Sequence, residues 1–171
     1  LGKDYIILRK EFWDVPEKKI NKDIKNILIT FGGANHKNLA NIISENLKEK
    51  FKIKTYIVDP TKHFTAKDML KFMLKADICI SGGGQTTYEL ARVGVPTVGI
   101  CFAENQLNNL IYGQKEGYLE FAGWFDDLNL IKNIVKIVEN ADYEKRKQMS
   151  IKGKILIDGN GVKNIAERMQ L

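Results

Sequence analysis

The sequence predicts an α/β domain with a doubly wound parallel sheet, and three observations carry that prediction. Short apolar runs of strand length alternate with amphipathic stretches of helix length. Most of those runs are uninterrupted, as strands buried on both faces require. Two of them end in glycine-rich turns that open a helix, Gly32-Gly33 and Gly82-Gly83-Gly84. At 171 residues and 44% hydrophobic content, a single domain with a sizeable core accommodates the chain.

The elements follow in order. Asn26 to Phe31 is the first strand, and from Lys37 to Lys50 the residues Leu39, Ile42, Ile43 and Leu47 share one helical face. Ile53 to Val58 is a second strand closed by Asp59-Pro60, and Met69, Leu70, Phe72 and Met73 mark a helix over 65–75. Asp77 to Ile80 leads through the glycine run into a helix over 87–92 that stops at Gly94. Val95 to Cys101 is a fourth strand. A helix from Glu104 to Glu116 stops at Gly117, Leu119 to Phe121 reads as a short strand, and two helices are predicted over 127–140 and 143–156. Gly159-Asn160-Gly161 opens a terminal helix. The alternation predicts a Rossmann-like architecture in which loops 32–36, 81–86 and 102–106 converge at the carboxyl ends of the strands.

The net charge of +6 arises from 27 basic and 21 acidic residues that are interspersed, with no basic run interleaved with aromatics, so nucleic acid is not an expected partner. No stretch approaches the roughly 20 apolar residues of a membrane span, and no signal-peptide pattern opens the chain. Cys79 and Cys101 sit in apolar runs without metal-ligand spacing and read as small buried hydrophobes, which fits a reduced, cytoplasmic setting. The first residue is Leu1 rather than Met, so the expectation is a piece of a longer protein.

The run Ser81 to Leu90 carries the most chemistry. Glycine lets a ligand approach the main chain without meeting a Cβ, and the helix behind it offers unpaired N–H groups with hydroxyls from Thr86 and Thr87 beside them. A tight turn with no ligand is the plainer alternative; neither GxGxxG nor a P-loop pattern is present. Glu89 reads either as the partner of Thr86 in a capping box or as a carboxylate that grips a ribose diol. Asn105, Gln106 and Asn109 place amides on the first turns of a helix, suited to sugar hydroxyls or to ordinary capping. His36 and His63 read as solvated, and Trp124 to Asp127 as packing followed by a helix cap. No nucleophile with a paired histidine and no metal cluster stands out. Neither metal nor organic cofactor is expected.

Taken together, Phe31 to Leu39, Ala76 to Leu90, Gly94-Val95-Pro96 and Glu104-Asn105-Gln106 with Asn109 resemble the UDP-sugar hydrolases of the pseudaminic acid pathway and the related spore-coat polysaccharide proteins. Those proteins are similar to GT-B glycosyltransferases and to the transferase that adds N-acetylglucosamine to lipid II. The segment Gly2 to Phe12 resembles the stretch through which that family's chain enters its second domain, and Asp158 to Gly161 the start of its terminal helix. The resemblance implies a GT-B C-terminal domain over 26–171, preceded by an interdomain segment over 1–25. It implies that Gly32, Gly33, Gly82, Gly83 and Gly84 with Thr86 and Thr87 line a nucleotide-sugar site, with Gly33 and the amides around Gly83 and Gly84 facing a diphosphate. It further implies that Glu89 holds the ribose, that Asn105, Gln106 and Asn109 line the sugar end, and that UDP or a UDP-sugar is the ligand. The catalytic groups would come from an N-terminal half of the same enzyme. Asn35 and His36 depart from the family's usual Asp-Pro. Rival readings are the sugar-binding half of a glycosyltransferase, split or whole, and a nucleotide-binding domain without turnover.

Overall fold

The computed structural model describes residues 2–33 and 36–169; Asn35, one of the two departures from the family pattern, lies outside them. Five strands form the sheet: β1 (Asn26–Thr30), β2 (Lys54–Ile57), β3 (Ile78–Gly82), β4 (Thr97–Cys101) and β5 (Leu119–Trp124). All four pairings are parallel, in the order β2-β1-β3-β4-β5. Seven helices cover it: α1 (Lys37–Lys50), α2 (Ala66–Lys75), α3 (Thr86–Val93), α4 (Glu104–Glu116), α5 (Leu130–Glu139), α6 (Tyr143–Leu156) and α7 (Gly161–Met169).

Side chains alternate across each strand, so the sheet builds two cores. Ile27, Ile29, Ile78, Ile80, Val98 and Ile100 face Ala40, Ile43 and Leu47 of α1 and Leu130, Ile134 and Val138 of α5. Leu28, Cys79 and Cys101 face Met69 and Met73 of α2, Leu90, Ala91 and Val93 of α3, and Leu110 of α4. Both cysteines are fully buried and free, and burial pushes both thiols up. Helix α6 lies against α3 at a close approach, where a Cβ on Gly153 would sit 2.9 Å from the Ala91 carbonyl.

Local signals set most boundaries. Thr65 and Asp68 close a reciprocal capping box on α2, Asp142 caps α6 through the Lys145 amide, and Gly94 and Gly117 end α3 and α4 in the left-handed conformation at φ +82° and +77°. Several boundaries need adjustment, among them β3, which runs on to Gly82, and β4, which starts at Thr97 rather than Val95. β5 runs on to Trp124, with a register shift against Gly99/Ile100 and Gly123 at φ +125°. Helix α5 starts at Leu130, because Asp127 spends its carboxylate on the Asn129 amide in a turn before the helix. Strand β2 is confined to Lys54–Ile57.

The leading segment packs onto this body. It contains two 3-10 turns, Lys3–Tyr5 and Lys10–Phe12, and buries Leu8 and Phe12. Only four of the 27 basic residues are arginines, and all four bond to or from this segment. Arg9 reaches Glu89; Arg92 donates to the carbonyls of Phe12 and Trp13; Arg146 donates to those of Asn21 and Lys22; Arg168 donates to the Tyr5 hydroxyl. Lys18 is buried, with its ammonium 3.0 and 2.5 Å from the Leu74 and Ala76 carbonyls, and burial lowers its pKa to about 8.

Candidate functional site

The chain leaves β1 toward β2 on one side and β3 toward β4 on the other, so the carboxyl ends of β1 and β3 form the switch point where doubly wound sheets bind ligands. A cleft of about 860 Å³ opens there. The turn after β1 supplies Gly32 and Gly33, the start of α3 supplies Gln85, Thr86 and Glu89, and the leading segment supplies Ile6 to Arg9. The loop between β2 and α2 closes the far side with Val58, Pro60 and Phe64 together with the charged Asp59 and Lys62.

Glu89 is 2% exposed, and its two oxygens each accept a 2.7 Å bond from Arg9, through Nε and Nη2. This two-pronged geometry suits the planar guanidinium, and the bond to Glu89 holds the Arg9 pKa above its usual value. Arg9 also lies 5.3 Å over the Phe12 ring. The capping-box alternative for Glu89 is thereby removed: the N-cap is Gln85, Thr86 is already the first helical residue, and no side chain caps α3. Gln85 instead donates its amide to the Ile7 carbonyl, closing the wall between the leading segment and α3.

The glycine turn divides into two parts. Gly82 belongs to β3, and the Gly83 amide donates to the Ile100 carbonyl, so neither offers the phosphate-facing N–H that the sequence reading placed near Gly83. A Cβ on Gly83 would lie 2.7 Å from Leu110 and 3.0 Å from Gln106, so glycine is required there by the approach of α4. Beyond it, among the described residues, the amides of Gly84, Gln85 and Thr86 meet no acceptor, and the space beside Gly84 is open. Gly32, at φ +67°, and Gly33 are exposed, with open space where a Cβ would stand.

The amide cluster on α4 does not reach the cleft. Asn109 turns inward and donates to the Gly83 carbonyl and to Thr87, whose buried hydroxyl donates to the Gly84 carbonyl and is likewise withheld from the cleft. Gln106 accepts the Phe102 amide through Oε1, its Nε2 meets no acceptor among the described residues, and Asn105 is exposed beside it. The three loops do converge: Phe102 packs 5.0 Å from Phe31 and 4.4 Å from His36, ring to ring, and a Cβ on Gly82 would touch it at 3.3 Å. His36 is therefore stacked, not merely solvated. Arg9 and Phe64 are cleft residues the sequence reading gave no role. A signal for Arg9 existed, since it is the only arginine among the first 91 residues of a lysine-rich chain.

A parallel sheet in this order, with its cleft and glycine turns at the switch point, defines a Rossmann-like α/β domain of the GT-B kind. The chain belongs to the Glycosyltransferase family 28 C-terminal domain, whose profile matches residues 9–169. It is 31% identical over 141 residues to a Helicobacter pylori protein named pseudaminic acid cytidylyltransferase and UDP-2,4-diacetamido-2,4,6-trideoxy-beta-L-altropyranose hydrolase, covering 75% of this chain and 26% of that one. It is 28% identical over 178 residues to an uncharacterized protein of Methanocaldococcus jannaschii, covering 81% of this chain and 36% of that one. The chain thus spans only about a quarter to a third of these curated relatives. In fold it matches MurG of Acinetobacter baumannii with a TM-score of 0.69 at 16% identity, over 99% of this chain and 55% of that one. Among the described residues, no helix is long and apolar enough to cross a membrane.

Proposed function

We propose that this chain is the UDP-sugar-binding part of a hydrolase acting on a UDP-2,4-diacetamido-2,4,6-trideoxyhexose, with the reacting groups supplied by an N-terminal half. The observation that carries the reading is the pairing, at one switch point, of a buried carboxylate with three amides at a helix start that meet no acceptor among the described residues. Each Glu89 oxygen spends one acceptor position on Arg9 and keeps another, so a ribose diol can be gripped without breaking the ion pair. The base lies along Val58, Pro60 and Phe64, and the diphosphate crosses the amides of Gly84 to Thr86 at the helix start. From there the sugar projects over the turn toward exposed Asn105 and the Nε2 of Gln106. The hydrolase relative at 31% identity supports the substrate class.

The second reading, donor binding for glycosyl transfer, is favoured by the family match itself. Amide NMR titration with UDP, UDP-N-acetylglucosamine, CMP and inorganic phosphate tests the shared core of both. Saturable shifts at Gly32, Gly33 and 84–89 with uridine nucleotides alone are expected; equal response to CMP or phosphate would overturn the uridine assignment. Release of free sugar from the diacetamido substrate, measured in a full-length relative without an acceptor, separates hydrolase from transferase.

A further inference from the structure

We infer that Asn109 and Thr87 are positioning residues that aim the phosphate-binding amides of the glycine turn, acting through the turn's carbonyls and never touching the ligand. The inference rests on the placement of a diphosphate at these amides. In a trans peptide unit the C=O of one residue and the N–H of the next point in opposite directions. Holding a carbonyl inward therefore turns the following amide outward. Asn109 Nδ2 holds the Gly83 carbonyl at 2.7 Å, which turns out the Gly84 amide; Thr87 Oγ1 at 2.8 Å joins its own backbone amide at 3.0 Å on the Gly84 carbonyl, which turns out the Gln85 amide. The two devices are one relay, because Asn109 Nδ2 also donates to Thr87 Oγ1 at 2.9 Å.

The direction of the relay is forced. Were the Asn109 amide turned over, its oxygen would face the Gly83 carbonyl, lone pairs against lone pairs. In the observed orientation Oδ1 is buried and meets no donor among the described residues, so Asn109 is held by its donor side alone. Glycine at 83 and 84 leaves the turn without side-chain restraint, and its shape is fixed from α3 and α4 instead. This explains why an asparagine predicted to meet the sugar points away from it.

The test is calorimetric titration of the 171-residue chain with UDP, uridine and inorganic phosphate, for wild type, Thr87→Val, Thr87→Ser and Asn109→Leu. Thr87→Val keeps the shape and removes the hydroxyl; Thr87→Ser restores it. The wild type binds UDP more tightly than uridine. Thr87→Val and Asn109→Leu lose roughly tenfold in UDP affinity while uridine affinity stays within about twofold, and Thr87→Ser matches wild type for both. In the same samples the Gly84 and Gln85 amide resonances lose their response to phosphate. If the variants keep the wild-type ratio of UDP to uridine affinity, the relay is refuted and the nucleotide site survives. If wild type itself shows no preference for UDP over uridine, the phosphate placement falls and the relay with it. Should Asn109→Leu fail to fold, the valine and serine pair at position 87 decides alone.

Discussion

Removing either side of the Arg9–Glu89 pair has unequal consequences, and the inequality follows from burial. The Glu89 side chain is 3% exposed and that of Arg9 47%. Arg9→Met strands a buried carboxylate without its two donors, whereas Glu89→Gln leaves a guanidinium that water can solvate and a neutral amide that still accepts one bond. Loss of a partner from a buried charge pair costs about 3–5 kcal/mol, and the half-exposed arginine lowers that to about 2–3 kcal/mol for Arg9→Met. Glu89→Gln turns an amide N–H toward one arginine donor, removes that charge-assisted bond and costs about 1.5 kcal/mol. The double variant leaves no stranded charge, so it is less destabilised than the two single losses added, by about 1 kcal/mol or more. Urea unfolding of the four proteins measures the cycle, and thermal midpoints should fall by about 2–4 °C per kcal/mol for a domain of this size. Strictly additive losses, or a larger loss from Glu89→Gln than from Arg9→Met, would refute the view that the pair is coupled and that burial decides which half matters.

Other outcomes are set by close approaches and by pH. Gly83→Ala drives a methyl group into Leu110 and Gln106 and costs about 1–3 kcal/mol whether or not ligand is present, read by urea unfolding. Gly84→Ala meets open space, so its unfolding midpoint stays at wild type while UDP affinity falls, read by titration calorimetry. Gly153→Ala meets the Ala91 backbone and destabilises the α3–α6 packing by about 1–3 kcal/mol, seen as a lower thermal midpoint without change in UDP affinity. Lys18 has a folded pKa of about 8 against an ordinary 10.5, so between those values the unfolded chain holds the extra proton and stability rises with pH. Relative to Lys18→Met, wild type therefore gains up to about 1.4 kcal/mol per pH unit between roughly pH 8 and 10.5, and below pH 8 the difference is flat. Unfolding both proteins in urea across that range checks it, and a wild-type gain on acidification would contradict the sign.

Local signals made the elements legible. The apolar runs at 26–31 and 95–101, the glycine stops at Gly94 and Gly117, and the helix over 143–156 needed only neighbours within a turn or two to declare themselves. Strand order and the side of the sheet on which each amide lands are long-range facts. The sequence placed Asn105, Gln106, Asn109 and Thr87 near the glycine turn but held nothing local to say that Asn109 and Thr87 face inward. Gly83 looked like Gly84 because the atom that separates them, the side chain of Leu110, lies 27 residues away. Glu89 stood between a cap and a ligand because its partner Arg9 is separated from it by 80 residues. The helix start moved by one residue, from Thr87 to Thr86, and that single step removed the cap.

The four arginines of the chain bear on where this domain can be cut. Every one of them fastens the first 25 residues to the rest, and lysine, a compact charge on a flexible stem, cannot copy the planar fork that meets both oxygens of the Glu89 carboxylate side by side. A truncation that begins at Asn26 would leave Arg92 and Arg146 facing missing carbonyls, expose the seats of Leu8 and Phe12, and take away the floor beneath Glu89. The leading segment behaves as a structural layer of this domain. A break or hinge between Tyr5 and Arg9 would be felt in the cleft, whereas one between Lys18 and Lys25 would be felt at the amino ends of β1 and β3, where Lys18, Asn21 and Lys25 bond to Leu74, Ala76 and Asp77.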